Sequence, residues 1–274
     1  MAAPDIITDE ELHSLTQAIL RRYGIDFTCY EPVSLKRRII RAVSVLKLGT
    51  VHNLWIRLLR DRDFIYPFVD EVAVGLTSMF RDPILWQTLR REALYAIPKK
   101  REIKVWHAGC STGEEVYSMG IVLQEMGIQP QVKAVASDMS NAAISKAQKG
   151  TYHSLKIAEY EKNYSEYNRM GVFRKYFSAV DDQAKMHTSL IKHVNFRQHN
   201  LISDAIEDDY DIIFCRNVMI YFDQVAKLKL LEQFFNHLNP GGLLIIGFYD
   251  ALVPLLDKNK FFYLSLNAKI FQKM

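Results

Sequence analysis

The sequence predicts an α/β protein: a mostly parallel sheet, an all-helical domain before it and a small antiparallel insertion within it. Up to about residue 91, apolar residues recur with helical spacing. From residue 102 onward, short apolar runs alternate with amphipathic segments, which is typical of a parallel sheet with crossover helices. Residues 150–192 interrupt that alternation. The expected boundaries are a helical domain at 1–85, a linker at 86–100 and the sheet domain at 101–274.

Composition limits the class of protein. The 274 residues are 49% apolar and 24% charged, with a net charge of +4, which excludes a disordered chain. No uncharged apolar run approaches the roughly 20 residues that span a bilayer, and the first residues are acidic. We therefore expect a cytoplasmic protein without direct membrane insertion. The three cysteines form no C-x-x-C pair, so neither a disulfide framework nor a metal site is expected.

The helical region begins with a capping signal. Thr8 and Glu11 have the spacing of a capping box that opens the first helix, and Gly24 is placed to end it. Pro83 suits the first turn of a later helix. The other helices of this region are expected to begin near Ser34 and near Val51 and to cover 64–75.

One of these helices carries concentrated positive charge. Residues 21–60 contain nine Lys or Arg against two acids. In the helix from Ser34, Arg37 and Arg41 lie opposite the apolar face, and Arg38 flanks them. The face is either an ordinary solvated surface or a docking surface for an acidic partner, and the pattern favours neither.

The sheet region divides into short strands and intervening helices. We expect the antiparallel insertion to contain strands near 174–180 and 184–191. The main strands are expected at 103–108, 132–137, 194–198, 211–215 and 243–248, with a final pair within 261–272. The helices between them are expected at 114–126, 141–149 and 224–238.

The loop after the first strand is the first candidate for ligand binding. Gly109 and Gly113 would let a ligand approach the backbone at a helix N-terminus, although the loop lacks the G-K-[ST] of a Walker motif. Ser111 with Glu114, and Thr112 with Glu115, could each form a capping box. Because both cannot form together, one glutamate remains, and a carboxylate there would suit a cationic ligand.

Two further strand ends carry polar residues. Asp138 ends the second strand, where an acid holds ribose hydroxyls in doubly wound folds; it could instead cap the following helix. Asn217 follows the buried strand at 211–215 and offers both a donor and an acceptor. Functional residues in such sheets lie beyond the carboxyl ends of the strands, so these positions are expected to form one site.

The motifs at these strand ends, taken together, strongly resemble the CheR family of chemotaxis receptor methyltransferases. The similarity covers about residues 10 to 273, and its ten-residue string F-C-R-N-V-M-I-Y-F-D is the most specific part. It implies a Rossmann-like, S-adenosylmethionine-dependent methyltransferase sheet. The motifs are L-T-S-M-F-R-D at 76–82, S-T-G-E-E at 111–115, A-S-D at 136–138, N-L at 200–201, F-C-R-N-V-M-I-Y-F-D at 214–223 and N-P-G-G-L-L at 239–244.

The resemblance implies a function and a role for each matching residue. A methyl group would pass from S-adenosylmethionine to glutamate side chains of chemoreceptor cytoplasmic domains, giving methyl esters. Arg81 and Tyr221 would face the reacting groups. The basic helix would dock on an acidic receptor bundle through Arg37, Arg38 and Arg41. The cofactor would be bound by Thr77 and Arg81 at its lip, Gly109 in the loop, Glu115 at the methionine moiety, Asp138 at the ribose, Met139, Asn200 and Leu201 around the adenine, and Asn217 and Val218 at the amino-acid end.

The sequence departs from the family pattern at two places. Gly75 stands where the family has Asn, and Gly247-Phe248-Tyr249-Asp250 replaces the usual Gly-His-Ser-Glu. These departures leave open a non-catalytic adaptor that binds the cofactor. A nucleic-acid methyltransferase is disfavoured because the chain lacks an N-P-P-[YF] motif. The expected partner is therefore the chemoreceptor helical bundle and not nucleic acid. The chain is expected to act as a monomer, and the short insertion loop at 178–185 disfavours binding of a receptor tether peptide.

Overall fold

The structure is a computed structural model that describes residues 7–73, 77–97 and 102–274, apart from the Val180 side chain. Gly75 and the basic run at 99–101 lie outside the described residues. Among those described, no helix is both long enough and apolar enough to cross a membrane.

The N-terminal helices begin and end largely where local signals place them. The Thr8–Glu11 capping box forms with both of its hydrogen bonds, and Gly24 ends the first helix in the left-handed conformation at φ +73°. The second helix begins at Pro32 rather than near Ser34, because its N-cap is Glu31, whose carboxylate accepts from the backbone N–H groups of Val33 and Ser34. The bounds are α1 Asp9–Tyr23, α2 Pro32–Val45, α3 Val51–Arg60 and α4 Ile65–Val72.

The segment 86–100, which we expect to link the two domains, is helical over residues 86–96. Helix α5 (Pro83–Thr88) continues through a π-helical turn, Leu89–Ala93, into the short α6 (Leu94–Ala96). Trp86 and Leu89 are fully buried, and the Trp86 ring stacks on Phe214 in the sheet. This apolar face attaches the segment to the sheet domain.

A seven-stranded sheet forms the centre of the molecule, in the order β6-β2-β1-β7-β8-β10-β9. The five strands from β6 to β8 are parallel, and β10 pairs antiparallel with both β8 and β9. Strand order reverses between β1 and β7, so a crevice opens at their carboxyl ends. The strands are β1 Ile103–Ala108, β2 Val132–Asp138, β6 Val194–Gln198, β7 Tyr210–Cys215, β8 Leu238–Ile246, β9 Phe261–Ser265 and β10 Ile270–Lys273, and the intervening helices are α7 Glu114–Met126, α8 Asn141–Lys149 and α10 Gln224–His237.

The predicted insertion is a three-stranded antiparallel sheet in the order β3-β5-β4. It also contains a helix, α9 (Ser154–Tyr167), that the sequence pattern did not indicate. Three buried tyrosines of α9 turn their hydroxyls toward carboxylates of α7. These contacts hold the insertion against the sheet domain. Its strands are β3 Thr151–His153, β4 Phe177–Val180 and β5 Gln183–Met186.

The two faces of the central sheet pack against different layers. One apolar cluster joins α1–α4 to Trp106, Ile213 and helix α10. The other joins α5, α7 and the insertion to Val105 and Ile212. The helical domain therefore shares a core with the sheet, and its residues can reach the crevice between β1 and β7.

Candidate cofactor-binding and active site

A cleft lies at the carboxyl ends of β1, β2 and β7, with about 890 Å³ of space between its walls, part of it open to solvent. The structure brings together there all of the residues expected to bind the cofactor or act in catalysis. They are Thr77, Arg81, Gly109, Glu115, Asp138, Met139, Asn200, Leu201, Asn217, Val218 and Tyr221.

The glycine loop after β1 needs its glycines for two reasons. Gly109 has φ +84°, and a Cβ atom there would lie 2.4 Å from Cγ2 of Val218. Gly113 has φ +91° and is itself the N-cap residue of α7, without any side-chain cap. Neither capping box proposed for this loop forms, so Glu114 and Glu115 are both available for tertiary contacts.

Asp138 is fixed at the end of β2 by backbone donors. Its carboxylate accepts from the N–H groups of Ser111 at 2.9 Å and Ser140 at 3.0 Å. The N-cap of α8 is Ser140, whose hydroxyl accepts from Ala143 N, so the capping role considered for Asp138 is wrong. Burial raises the pKa of Asp138, and these backbone hydrogen bonds oppose the increase.

Glu115 lies in a buried network that the sequence did not predict. Its Oε1 is 2.9 Å from Nδ1 of His107, and its Oε2 accepts from Nη1 of Arg216 at 3.0 Å. Burial alone would raise the pKa of Glu115. The His107 hydrogen bond and the Arg216 charge outweigh burial and lower it, so the carboxylate is ionised at neutral pH.

Arg216 also fixes the segment that carries Arg81. Its Nη2 donates to the Arg81 carbonyl at 3.0 Å and to Oδ2 of Asp82 at 2.8 Å. Asp82 has φ +58°, a left-handed conformation that is costly for a side chain larger than glycine unless its surroundings hold it. Arg216 therefore connects the α7 glutamate to the lip of the cleft.

The segment 247–250, which departs from the family's Gly-His-Ser-Glu, still ends in an acid, Asp250. Asp250 is fully buried and accepts from the backbone N–H groups of Asn217 at 2.9 Å, Gly247 at 2.6 Å and Ile220 at 3.3 Å. It holds the loop after β7, in which Asn217 has φ +58°. The Asp250 carboxylate therefore fixes the loop that carries Asn217 and Tyr221, although the sequence at 247–250 differs from the family pattern.

Arg38 of the helical domain is part of this cleft, which corrects its assignment to the exposed docking face. It is 6% exposed, its guanidinium carbon lies 3.6 Å from the centre of the Tyr221 ring, and Nη1 donates to the Val72 carbonyl. Arg37 and Arg41 are exposed. Arg38 flanks the basic face, but its side chain points inward and contacts Tyr221 and the Val72 carbonyl.

Tyr30 is a second cleft residue from the helical domain that the sequence did not indicate. It forms an isolated β-bridge with Phe222, and backbone hydrogen bonds from Glu31 to Tyr221 and from Asp223 to Cys29 flank that bridge. Its hydroxyl donates to Sδ of Met139 at 3.4 Å. The helical domain therefore completes the site instead of lying apart from it.

Several buried polar atoms at the cleft fit a polar cofactor. Ser111 Oγ, Asn200 Nδ2, Asn217 Nδ2 and Arg216 Nε have no hydrogen-bond partner within the described residues. Leaving such groups unpaired costs about 1–3 kcal/mol each, so a ligand with hydroxyls, ring nitrogens and a carboxylate would be favoured there. S-adenosylmethionine carries all of these groups, and the residues present fit it.

Three features define a Rossmann-like protein that binds an adenosine-containing cofactor. They are the glycine loop after β1, the acid at the end of β2 and the cleft at the point where strand order reverses. The chain matches the family model "CheR methyltransferase, SAM binding domain" over residues 75–268 and "CheR methyltransferase, all-alpha domain" over residues 10–73. It belongs to the CheR methyltransferase family and is an S-adenosylmethionine-dependent methyltransferase.

Related proteins match along nearly the whole chain. Cher3 of Pseudomonas putida is 34% identical over 266 residues, covering 97% of both chains. The chemotaxis protein methyltransferase of Vibrio parahaemolyticus is 31% identical, covering 92% of this chain and 93% of its own. Among solved structures, the N-methyltransferase NodS from Bradyrhizobium japonicum in complex with S-adenosyl-L-homocysteine aligns with a TM-score of 0.35 at 14% identity, covering 62% of this chain and 63% of its own.

Proposed function

We propose that this protein transfers a methyl group from S-adenosylmethionine to glutamate side chains of chemoreceptor cytoplasmic helical bundles, forming methyl esters in chemotaxis. The names of its relatives support the chemotactic role. The observation that carries the acceptor assignment is the end of the cleft around Tyr221, where the side chains of Arg38 and Arg81 bring positive charge. Such a site suits an anionic acceptor.

The cofactor's sulfonium supplies an activated methyl group. Asp138 would hold the ribose hydroxyls, and Met139, Asn200 and Leu201 would surround the adenine. Glu115, Asn217 and Val218 would hold the amino-acid end. Thr77 and Arg81 would close the lip, and the loop at Gly109 would approach the cofactor through its backbone.

The acceptor requires orientation but no base. A glutamate has an ordinary pKa of about 4.3 and is already an anionic nucleophile at pH 7. With the cofactor bound, one of its oxygens would take the methyl group that the sulfonium supplies, and the sulfur would keep the electron pair of the broken methyl–sulfur bond. Arg81 and Tyr221 would align this carboxylate, an arrangement that supplies about 7–11 kcal/mol in well-oriented systems.

Tyr221 would act as a hydrogen-bond donor. Burial raises the pKa of its phenol, and the charges of Arg38 and Arg81 oppose that increase without reversing it. The phenol is therefore protonated at neutral pH. It can donate to the acceptor carboxylate while the ring packs against Arg38.

The exposed side chains of Arg37 and Arg41 would bind the acidic surface of the receptor bundle. They lie on the same helix as Arg38, so a bundle docked there would be close to the cleft. We expect the protein to act as a monomer in the cytoplasm, on the receptor and not on nucleic acid.

Calorimetric titration with S-adenosylhomocysteine tests the cofactor site, and transfer of labelled methyl groups to receptor fragments tests the acceptor. We expect 1:1 binding at micromolar concentration and base-labile label, as methyl esters require. Arg81→Ala should abolish most turnover at saturating cofactor, whereas Arg169→Ala, at an exposed position outside the cleft, should not. Unchanged turnover of Arg81→Ala would remove Arg81 from the catalytic role, and absence of cofactor binding would contradict the enzyme assignment.

A further inference from the structure

His107 is a buried histidine that contacts Glu115 but does not itself line the cleft. It lies near the end of β1 and is 1% exposed. It pairs with Phe214 of β7, and the two rings stack with centres 4.8 Å apart and planes 13° apart. Strand pairing and stacking together hold the imidazole in one orientation.

The imidazole faces Glu115. Its Nδ1 lies 2.9 Å from Oε1 of Glu115. An ionised carboxylate only accepts hydrogen bonds, so Nδ1 must carry the hydrogen, which determines the tautomer of a neutral His107. Arg216 holds the other oxygen of Glu115 at 3.0 Å. Each oxygen therefore has one donor from the protein and keeps accepting capacity for a ligand.

Glu115 is the carboxylate best placed for a cation in this cleft. The carboxylates that line the cleft within the described residues are Glu115 and Asp138. Asp138 lies at the end of β2, where ribose hydroxyls are held, and receives two backbone N–H groups. Glu115 is in the first turn of α7 and contacts Arg216 beside Asn217. The amino-acid end of the cofactor carries an ammonium group that this carboxylate can bind.

We infer that His107 is a positioning residue, which orients the Glu115 carboxylate toward the amino-acid end of the cofactor. This inference rests on the proposed cofactor site and adds to it a residue outside the cleft lining. The alternative is a histidine that only fills the core. The two roles predict different responses to ligands that share the adenosine but differ in the amino-acid end.

The test compares binding of S-adenosylhomocysteine with binding of 5′-methylthioadenosine, which has the adenosine and sulfur but no amino acid. His107→Leu keeps the approximate volume and removes the donor. His107→Gln keeps an N–H donor. His199→Gln is the matched control, because His199 is a buried cleft histidine whose Nδ1 is 3.9 Å from its nearest carboxylate. Calorimetry gives both affinities, and thermal unfolding checks that each variant folds.

We expect His107→Leu to weaken S-adenosylhomocysteine binding roughly tenfold or more, as loss of a hydrogen bond to a charged group predicts. Binding of 5′-methylthioadenosine should change less than about twofold, and His107→Gln should recover part of the loss. His199→Gln should affect the two ligands equally. In a Glu115→Gln background, His107→Leu should add little further loss.

Equal weakening of both ligands by His107→Leu, or no change in either, would overturn the inference. If His107→Leu does not fold, His107→Gln decides the question: the inference fails if His107→Gln weakens both ligands in parallel. Wild-type protein that binds neither ligand would contradict the cofactor site itself. Wild-type binding with parallel losses would contradict only the role of His107.

Discussion

Glu115 and Glu125 lie near opposite ends of helix α7, with side chains 14% and 8% exposed, and their surroundings differ. Glu115 in the first turn accepts from His107 and Arg216 and lines the cleft. Glu125 in the last turn is outside the cleft and is surrounded by donors from α9, the insertion and the segment after α5. These donors are the hydroxyls of Tyr164, Tyr167 and Tyr176, Nη1 of Arg90 and Nδ2 of Asn168.

A lowered pKa does not by itself distinguish the roles of these two glutamates. Burial opposes ionisation of both glutamates, yet hydrogen bonds lower both pKa values, through His107 and Arg216 at Glu115 and chiefly through tyrosines at Glu125. A carboxylate has about four lone-pair sites, so the donors around Glu125 fill it. Glu115 retains accepting capacity at the carboxyl ends of the strands. Remaining accepting capacity and location, and not the direction of the pKa shift, distinguish the glutamate that we propose binds the cofactor.

The largest effect is expected for Glu125→Leu, which removes the acceptor shared by three tyrosines and Arg90. Leaving the hydroxyls of three buried tyrosines without this acceptor costs roughly 3 kcal/mol or more of unfolding free energy, at about 1–3 kcal/mol for each unpaired donor. Urea denaturation measures this loss. Protein that remains folded should bind S-adenosylhomocysteine with unchanged affinity, and a parallel loss of affinity would contradict the purely structural role of Glu125.

Glu115→Gln should lower cofactor affinity more than it lowers the free energy of unfolding, the opposite of Glu125→Leu. The loss of charge next to the cofactor's amino-acid end should weaken S-adenosylhomocysteine binding about 10- to 100-fold, equivalent to roughly 1.5–3 kcal/mol for a hydrogen bond to a charged group. We expect a smaller loss of stability than for Glu125→Leu, because the amide still offers one acceptor. Calorimetry measures the affinity, and urea denaturation of the same preparations measures the free energy of unfolding. A loss of stability larger than that of Glu125→Leu would contradict the proposed difference between the two glutamates.

The same contrast occurs between two arginines of α2. Arg38→Ala removes the guanidinium packed on Tyr221, and a desolvated cation–π contact contributes up to about 2 kcal/mol. We expect kcat to fall about tenfold. Exposed Arg41→Ala should leave kcat unchanged and raise KM for the receptor a few-fold, with an effect that disappears at high salt. Steady-state methylation at two salt concentrations separates these outcomes, and the same change in both variants would contradict the assignment.

The smallest effect concerns pH. Because the folded-state pKa of Glu125 is lowered, its ionisation stabilises the protein above the ordinary glutamate pKa of about 4.3, and this stabilisation is lost as pH falls through the folded-state value. Glu125→Gln lacks the titrating group. The difference in unfolding free energy between wild type and Glu125→Gln should therefore shrink from pH 7 to acid pH. A difference that grows on acidification would contradict the lowered pKa.

The sequence alone determined most of the helices and strands. Helices α7 and α8 begin and end at the predicted residues, and the Thr8–Glu11 box forms as expected. Periodicity and capping depend on residues within a few positions of each other, so the local sequence contains them. The position of the proposed cofactor residues around one cleft also followed from sequence, through motif resemblance and because the carboxyl ends of parallel strands meet at one edge of a sheet.

Only the tertiary structure determined how individual side chains are used. It placed Arg38 against Tyr221, His107 against Glu115 and Asp250 beneath Asn217. It also excluded the capping boxes at 111–115, because the N-cap residue of α7 is Gly113, in the left-handed conformation. Each outcome depends on a partner from another segment, or on a backbone conformation set by packing. Periodicity assigns a side chain to a face of its element, but the elements that pack against that face determine its partner.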